Sequence, residues 1–247
     1  MKTLLAACCT LGLIAALSAV TAPAIAQTSP PPPDYSAAER LLLMSDQMQR
    51  VSPPATLSYR FQHGGTLDAP FEDKVNLQFT RLADGRCCTA TGEFLTGPRR
   101  LTLPQVEQVQ GNPVTLYFLE RDIREMQRLT KGQASYFRKR IRMALYQGAR
   151  LGEARFSYRG QSVVGREIVI QPYLDDPNRA RFEHLAHKQY RFLLSDAVPG
   201  RVVSIHTTTR VDGGPAPLVE EALWIDGATP PTPSASAALT RPQPVRP

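Results

Sequence analysis

The stretch "KVNLQFTRLADGRCCTATGEFL", residues 74–95, contains the clearest pair of β-strands in the chain. Apolar and polar residues alternate on both sides of Asp84-Gly85, and an Asp-Gly pair between such segments is the strongest short signal of a β-hairpin. Because successive side chains of a strand point to opposite faces, a two-residue turn predicts one shared apolar face. That face carries Val75, Leu77, Phe79, Cys88, Ala90 and Phe94.

Further strand-like segments lie on both sides of this hairpin. They are residues 55–63, a second hairpin at 153–173 around Arg159-Gly160, and residues 188–195, 201–210 and 218–225. Turn signals link these segments, and strands and helices do not alternate regularly along the chain. The sequence therefore predicts a mostly antiparallel sheet in an α+β fold.

Helical patterns occur at the N-terminal side, in the centre and near residue 180. "SAAE" at residues 36–39 is a capping box, and it predicts a helix that ends before Pro53. Asn112-Pro113 starts a helix that Gly132 closes, and a second helix follows at about residues 134–147. Asp176-Pro177 starts a shorter helix that reaches about His187. The apolar stripe predicted for the first central helix is Leu116, Leu119, Ile123 and Met126.

This order of elements resembles that of bacterial envelope carriers, which hold the acyl chains of lipoproteins in an open half-barrel. The resemblance covers residues 36–226 and rests on the order of strands and helices. It implies a curved half-barrel over an apolar cavity, with the helices as a lid or plug.

The first residues have the order of a secretory signal peptide: Lys2, an apolar segment at residues 4–20, and small residues up to Ala26. We expect cleavage near Ala26 and a periplasmic or secreted protein; an uncleaved anchor and acylation at Cys8 are the alternatives. The remaining organisation is a Pro-rich linker at 27–35, a single domain at 36–226 and a disordered Pro-rich tail at 227–247.

A cluster of cations in the second central helix is the main candidate binding surface. No acidic residue occurs from Lys131 to Arg142, and on a helical wheel the cations lie opposite Phe137 and Ile141. A basic helical face that also carries aromatic and flexible apolar groups suits an anionic membrane surface, although a plain solvated face is the alternative. Nucleic acid is a less favoured partner outside the cytoplasm. The candidate residues are Lys131, Tyr136, Arg138, Lys139, Arg140, Arg142 and Met143.

The first central helix carries charges of both signs. Pairs such as Glu120 with Arg124 and Arg121 with Glu125 are four residues apart, which is the spacing of neighbouring side chains on a helix. Together with Asp122 and Arg128, they predict a solvated face of ion pairs.

Two weak candidate sites contain metal-binding or redox-active residue types. Glu183, His184 and His187 share one flank if their segment is an α-helix, but the order Glu-His-x-x-His is not the zinc-protease pattern. Cys87 and Cys88 are adjacent, so on a regular strand they point to opposite faces. We expect two free thiols there, with a redox-active pair or a bridge to another chain as alternatives.

Signatures of common enzymes do not occur: there is no Gly-x-Ser-x-Gly, no Ser-x-x-Lys and no phosphate-binding glycine loop. We therefore expect no enzymatic activity and no cofactor. The leading hypothesis is an exported envelope protein that binds or carries a lipophilic ligand, with the basic face contacting an anionic membrane or a partner. The alternative is a periplasmic interaction or assembly factor without a small ligand, and a third hypothesis is a metal- or thiol-dependent enzyme.

Overall fold

The computed structural model describes residues 35–85, 87–102, 104–211, 214 and 216–231. The predicted signal peptide, residues 27–34 of the predicted linker and residues 232–247 of the predicted tail lie outside the described residues.

A nine-stranded antiparallel sheet forms the core of the described region, with the strand order β4-β3-β2-β1-β9-β8-β7-β6-β5. The strands are β1 (Ala55–Gly64), β2 (Phe71–Arg81), β3 (Cys87–Phe94), β4 (Leu101–Thr102), β5 (Arg150–Tyr158), β6 (Gln161–Ile170), β7 (Gln189–Leu194), β8 (Val202–Thr209) and β9 (Val219–Ile225). The sheet is not closed into a barrel, and β4 and β5 form its edges. The predicted α+β fold with a mostly antiparallel sheet is confirmed.

The β2–β3 hairpin has the predicted shared face. Val75 pairs with Phe94 and Phe79 pairs with Ala90, and all four side chains are buried. The register shifts between Thr80 and Arg81, so the turn is less regular than a two-residue connection. Because this irregularity lies at the turn end of the strands, it leaves the alternation in the rest of the hairpin intact.

The edge strand β5 is hydrogen-bonded to the chain that follows β9. The Arg159 N–H donates to the carbonyl of Gly227 (2.7 Å), and the Thr229 N–H donates to the carbonyl of Ser157 (3.1 Å). Since β9 lies four strands away from β5 in the sheet, this contact requires the sheet to curl. It also gives residues 227–229, which composition assigned to the tail, a regular backbone partner.

Three helical segments pack with the sheet. They are α1 (Ala37–Glu39), which continues as a π-helical turn (Arg40–Met44); α2 (Pro113–Thr130); and α3 (Ala134–Met143), which continues as a π-helical turn (Ala144–Gly148). The predicted capping box is present: the Glu39 N–H donates to Ser36 Oγ (3.1 Å) and the Ser36 N–H donates to the Glu39 carboxylate (2.8 Å).

Two helix predictions are wrong. The first helix ends at Met44 instead of continuing towards Pro53, and its end is followed by an extended Ser45. The segment after Asp176-Pro177 forms two short 3₁₀ turns, Arg179–Arg181 and Glu183–His187, in place of an α-helix. Glu183, the first residue of the second turn, has a positive φ of 50°, which interrupts the helical path.

Aromatic side chains fill the space between the helices and the sheet. Phe61 of β1 lies 6.3 Å from Phe118 of α2, and Phe137 of α3 lies 5.8 Å from Tyr173, measured between ring centroids. All four side chains are buried. In this part of the fold the helices therefore pack directly against the sheet.

Candidate functional site

An open groove lies among the three helices, with a volume of about 550 Å³. We call it the helix groove, and its apolar walls are Met44, Leu116, Leu119, Ile123, Ile141 and Leu145. The walls come from α1, α2 and α3 together, including the π-helical turns that extend α1 and α3. The groove is therefore a product of tertiary packing rather than of one continuous sequence motif.

The groove exposes large apolar side chains, including two aliphatic ones. Leu116 is 59% exposed and Met44 is 49% exposed, whereas Leu119 and Ile123 are buried. The prediction that Leu116 belongs to the buried stripe of α2 is wrong, because its side chain is exposed. Contiguous apolar surface of this kind in soluble proteins often marks an interaction site or a ligand-binding groove.

Charged side chains form the rim of the helix groove. Arg138 of α3 makes a bidentate pair with Glu120 of α2, with nitrogen–oxygen distances of 2.8 to 3.1 Å, and Arg124 lies 3.5 Å from the same carboxylate. Arg142 is 3.9 Å from the carboxylate of Glu39. The predicted pair of Glu120 with Arg124 is thus confirmed, with Arg138 added from the next helix.

Two of the predicted α3 residues belong to a different contact. Arg140 pairs with the buried carboxylate of Asp176 (2.7 Å) and donates to the carbonyl of Pro172 (3.2 Å). The Tyr136 hydroxyl donates to Asp176 (2.6 Å) and accepts from the amide of Asn178 (3.0 Å). Burial, together with the neighbouring Asp176 carboxylate, raises the pKa of Tyr136. These contacts attach α3 to the loop before β7.

The expectation that the cations of residues 131–142 lack acidic partners is wrong for Arg138, Arg140 and Arg142. Their partners are Glu120, Asp176 and Glu39. These acids are 18 to 103 positions away, so the local absence of acids in the sequence did not reveal them. The role of this face in binding an anionic surface stays a prediction.

The other predicted residues of this face are spread over three places. Lys131 is exposed and ends α2 in a left-handed conformation, with a φ of 58°. Lys139 is exposed on α3. Met143 is half-buried and borders a small polar pocket beside Arg140 and Asp175. Only Arg138 and Arg142 of the seven predicted residues line the helix groove.

A buried ionic cluster connects α2 to the central strands, and the sequence did not predict it. Glu221 of β9 is fully buried, accepts from Arg121 and contacts Nδ1 of His63 at 2.9 Å. Burial alone would raise the pKa of Glu221, but the Arg121 guanidinium and the His63 contact hold it at about 2. The carboxylate is therefore ionised near neutral pH.

The same cluster contains a second buried ion pair, between Asp122 of α2 and Lys188 before β7. The Tyr190 hydroxyl also donates to Asp122 (2.6 Å), and it lies 3.3 Å from the Tyr173 hydroxyl. Burial raises the pKa of Asp122, and the nearby Glu221 adds to this effect. Because these groups are enclosed between α2 and the sheet, the cluster ties the helix to the strands.

The prediction that the charges of α2 form a solvated face is wrong for Asp122 and Arg121. Asp122 is fully buried, and Arg121 pairs with Glu221 instead of with Glu125. Glu125 pairs with Arg128, at 2.6 Å. The alternating charges along α2 suggested ion pairs within the helix. The partners of Asp122 and Arg121 in the structure are instead 66 and 100 positions away in the sequence.

The candidate metal ligands do not form a cluster. Glu183 and His184 are exposed on a 3₁₀ turn, so the α-helical spacing that would align them with His187 does not apply. Among residues 35–85, 87–102, 104–211, 214 and 216–231, no three side chains of metal-ligand type converge. His63 and His206 contact Glu221 and Glu220 respectively.

The side chains of Cys87 and Cys88 meet across a cis peptide bond, so the expectation that they point to opposite faces is wrong. Cys88 is fully buried, and its carbonyl accepts from the Val109 N–H (3.0 Å). The pair lies next to the register shift of the β2–β3 hairpin, where the regular alternation of side chains is interrupted. A redox role for the pair stays a prediction.

Neither protein-family models nor curated protein sequences give a match to this chain. Within the part of the chain that the structure describes, no helix is long and apolar enough to cross a membrane.

Proposed function

We propose that this protein is an exported, non-enzymatic envelope protein that binds a lipophilic molecule in the helix groove. The observation that carries the proposal is an apolar groove of about 550 Å³ that leaves Leu116 and Met44 exposed. Sites for small molecules are typically clefts of about 300–1,000 Å³ with mainly apolar walls and a few polar groups. The volume and the walls support a ligand whose bound part is a hydrocarbon chain.

Burial of the hydrocarbon would supply the binding free energy. Each methylene that leaves water contributes about 0.8 kcal/mol, which is roughly a fourfold change in the dissociation constant. A chain that buries about eight methylenes gains about 6 kcal/mol before the cost of immobilising it. Affinity should therefore rise with chain length until the groove is full, and then level off.

The N-terminal sequence and the exposed cations support the envelope part of the proposal. Residues 1–26 have the pattern of a signal peptide, which directs a protein out of the cytoplasm. Lys139 and Arg142 are exposed on α3, where they can approach an anionic membrane surface or partner. A lipophilic molecule is poorly soluble in the aqueous envelope, so a protein that covers its hydrocarbon chain has a clear physical use.

The test is calorimetric titration of the folded protein with octanol, decanol and dodecanol, each below its aggregation limit. We expect binding that tightens about fourfold per methylene over part of the series. The Leu116→Gln variant should weaken dodecanol binding about fivefold, because a partly exposed leucine contributes about 1 kcal/mol of contact. Leu67→Gln is the matched control, since Leu67 is also an exposed leucine and lies outside the groove.

Two results would contradict the proposal. If no alcohol binds to the folded protein, lipophile binding is wrong and an interaction factor without a small ligand is favoured. If Leu67→Gln weakens binding as much as Leu116→Gln, the ligand does not occupy the helix groove.

A further inference from the structure

At the rim of the helix groove, the basic side chains are more exposed to solvent than the acidic ones. The arginine side chains at the rim are 58% (Arg124), 51% (Arg138) and 75% (Arg142) exposed, whereas the carboxylates are 33% (Glu120) and 5% (Glu39) exposed. Three arginines and two glutamates give this rim a formal charge of +1. A ligand head group in the mouth of the groove would therefore meet guanidinium groups first.

We propose that the ligand is an amphiphile with one hydrocarbon chain and a carboxylate head group, bound with the head at Arg142. This inference rests on the proposed function, because it assigns the head group of the ligand in the same groove. Arginine matches a carboxylate well, since its planar guanidinium donates two parallel hydrogen bonds to the two oxygens.

Arg142 is the best placed of the three arginines. Among the described residues its ion-pair partner is Glu39, at 3.9 Å, which is beyond hydrogen-bond distance. The Glu39 carboxylate already accepts from the Ser36 N–H (2.8 Å) as part of the capping box. The guanidinium of Arg142 therefore keeps donors for a ligand.

Arg124 and Arg138 are less available because they share one carboxylate. Arg138 holds Glu120 in a bidentate pair, and Arg124 lies 3.5 Å from it. Two guanidinium groups on one carboxylate leave a local excess of one positive charge beside Arg142. This excess matches the single charge of a carboxylate, whereas a phosphate monoester carries about two negative charges near neutral pH. The charge balance thus favours a long-chain carboxylic acid over a long-chain phosphate monoester.

The experiment compares dodecanoate, dodecanol, dodecylammonium and dodecyl phosphate, four twelve-carbon amphiphiles whose head groups differ in charge. Calorimetric titration at pH 8 and low salt should show dodecanoate binding about three- to tenfold more tightly than dodecanol. Dodecylammonium should bind more weakly than dodecanol. The preference for dodecanoate should shrink at high salt, because salt screens an exposed charge contact.

Three variants locate the head group. In Arg142→Gln the ratio of dodecanoate to dodecanol affinity should fall towards one. In Glu120→Gln the same ratio should rise, because Arg124 and Arg138 lose their shared acid. Arg155→Gln is the matched control: it removes one exposed cation from β5, outside the groove, and should leave the ratio unchanged.

The outcomes separate this inference from the proposed function. If dodecanol binds as tightly as dodecanoate, the groove function stands and the carboxylate head group is wrong. Equal losses of the ratio in Arg155→Gln and Arg142→Gln would overturn the placement at Arg142. Tighter binding of dodecyl phosphate than of dodecanoate would overturn the choice of carboxylate. If none of the four probes binds, the proposed function itself fails.

Discussion

Replacing Lys188 by methionine removes the cation from a buried ion pair and leaves its partner in place. Asp122 is fully buried, and the Lys188 side chain is almost fully buried beside it. In Lys188→Met the Asp122 carboxylate keeps the hydrogen bond from the Tyr190 hydroxyl (2.6 Å) but loses its counter-charge. Methionine fills a similar space, so the change tests charge more than packing.

Breaking a buried ion pair in this way costs about 3–5 kcal/mol, because an uncompensated charge stays inside the fold. Native domains have only about 5–15 kcal/mol of total stability, so Lys188→Met should remove a large part of it. For a domain of this size the loss corresponds to a fall of roughly 6–20 °C in Tm.

The loss should also depend on pH in a defined direction. Lys188 lowers the pKa of Asp122, so its removal raises that pKa further above the unfolded value. The folded variant then binds a proton that the unfolded chain releases, and its stability falls as pH rises. The penalty of Lys188→Met should therefore be larger at pH 8 than at pH 5.

Urea unfolding followed by circular dichroism at both pH values measures these effects. The double variant Asp122→Asn/Lys188→Met should recover most of the loss, since it removes both charges. Arg128→Gln is the surface control, because Arg128 is half-exposed in its pair with Glu125 and should cost less than about 1 kcal/mol. A loss below about 1 kcal/mol in Lys188→Met, with no pH dependence, would refute the buried-pair reasoning.

Two more predictions concern other buried polar groups. Asn112→Ala removes the cap of α2 on the Val114 N–H (3.1 Å) and the hydrogen bond to the Tyr59 hydroxyl (2.7 Å), so urea unfolding should show a loss of about 2–3 kcal/mol. Glu221 has a folded pKa of about 2, because Arg121 holds it below the ordinary value of 4.5 despite burial. The ionised carboxylate therefore adds to the free energy of unfolding above pH 4.5, and this addition is lost as the pH falls towards 2. Between those two pH values the unfolding free energy should change by up to about 3 kcal/mol because of Glu221. Urea unfolding of Glu221→Gln should show that this change with pH is gone.

Local sequence signals were enough to predict most of the sheet. The Asp84-Gly85 and Arg159-Gly160 turns each join two antiparallel strands, as predicted. The Asn112 cap and the start of α2 were also predictable, because a side-chain cap and a first-turn proline act within a few residues.

Contacts between distant residues could not be predicted in the same way. Asp122 and Arg121 had acceptable partners on their own helix, but burial between α2 and the sheet selected Lys188 and Glu221. The helix groove could not be predicted from the sequence for a similar reason. An apolar stripe shows which side chains can be buried, whereas the exposure of Leu116 depends on how the helices pack in three dimensions.

The most direct test of the central claim is to find where a bound lipophile touches the protein. A dodecanol analogue with a diazirine on its chain can be photo-crosslinked to the protein, and the labelled peptides can be identified by mass spectrometry. The proposed function predicts labels at Leu116, Ile123 or Ile141 that excess dodecanol removes. Labels elsewhere that dodecanol displaces, or no displaceable label at all, would contradict it.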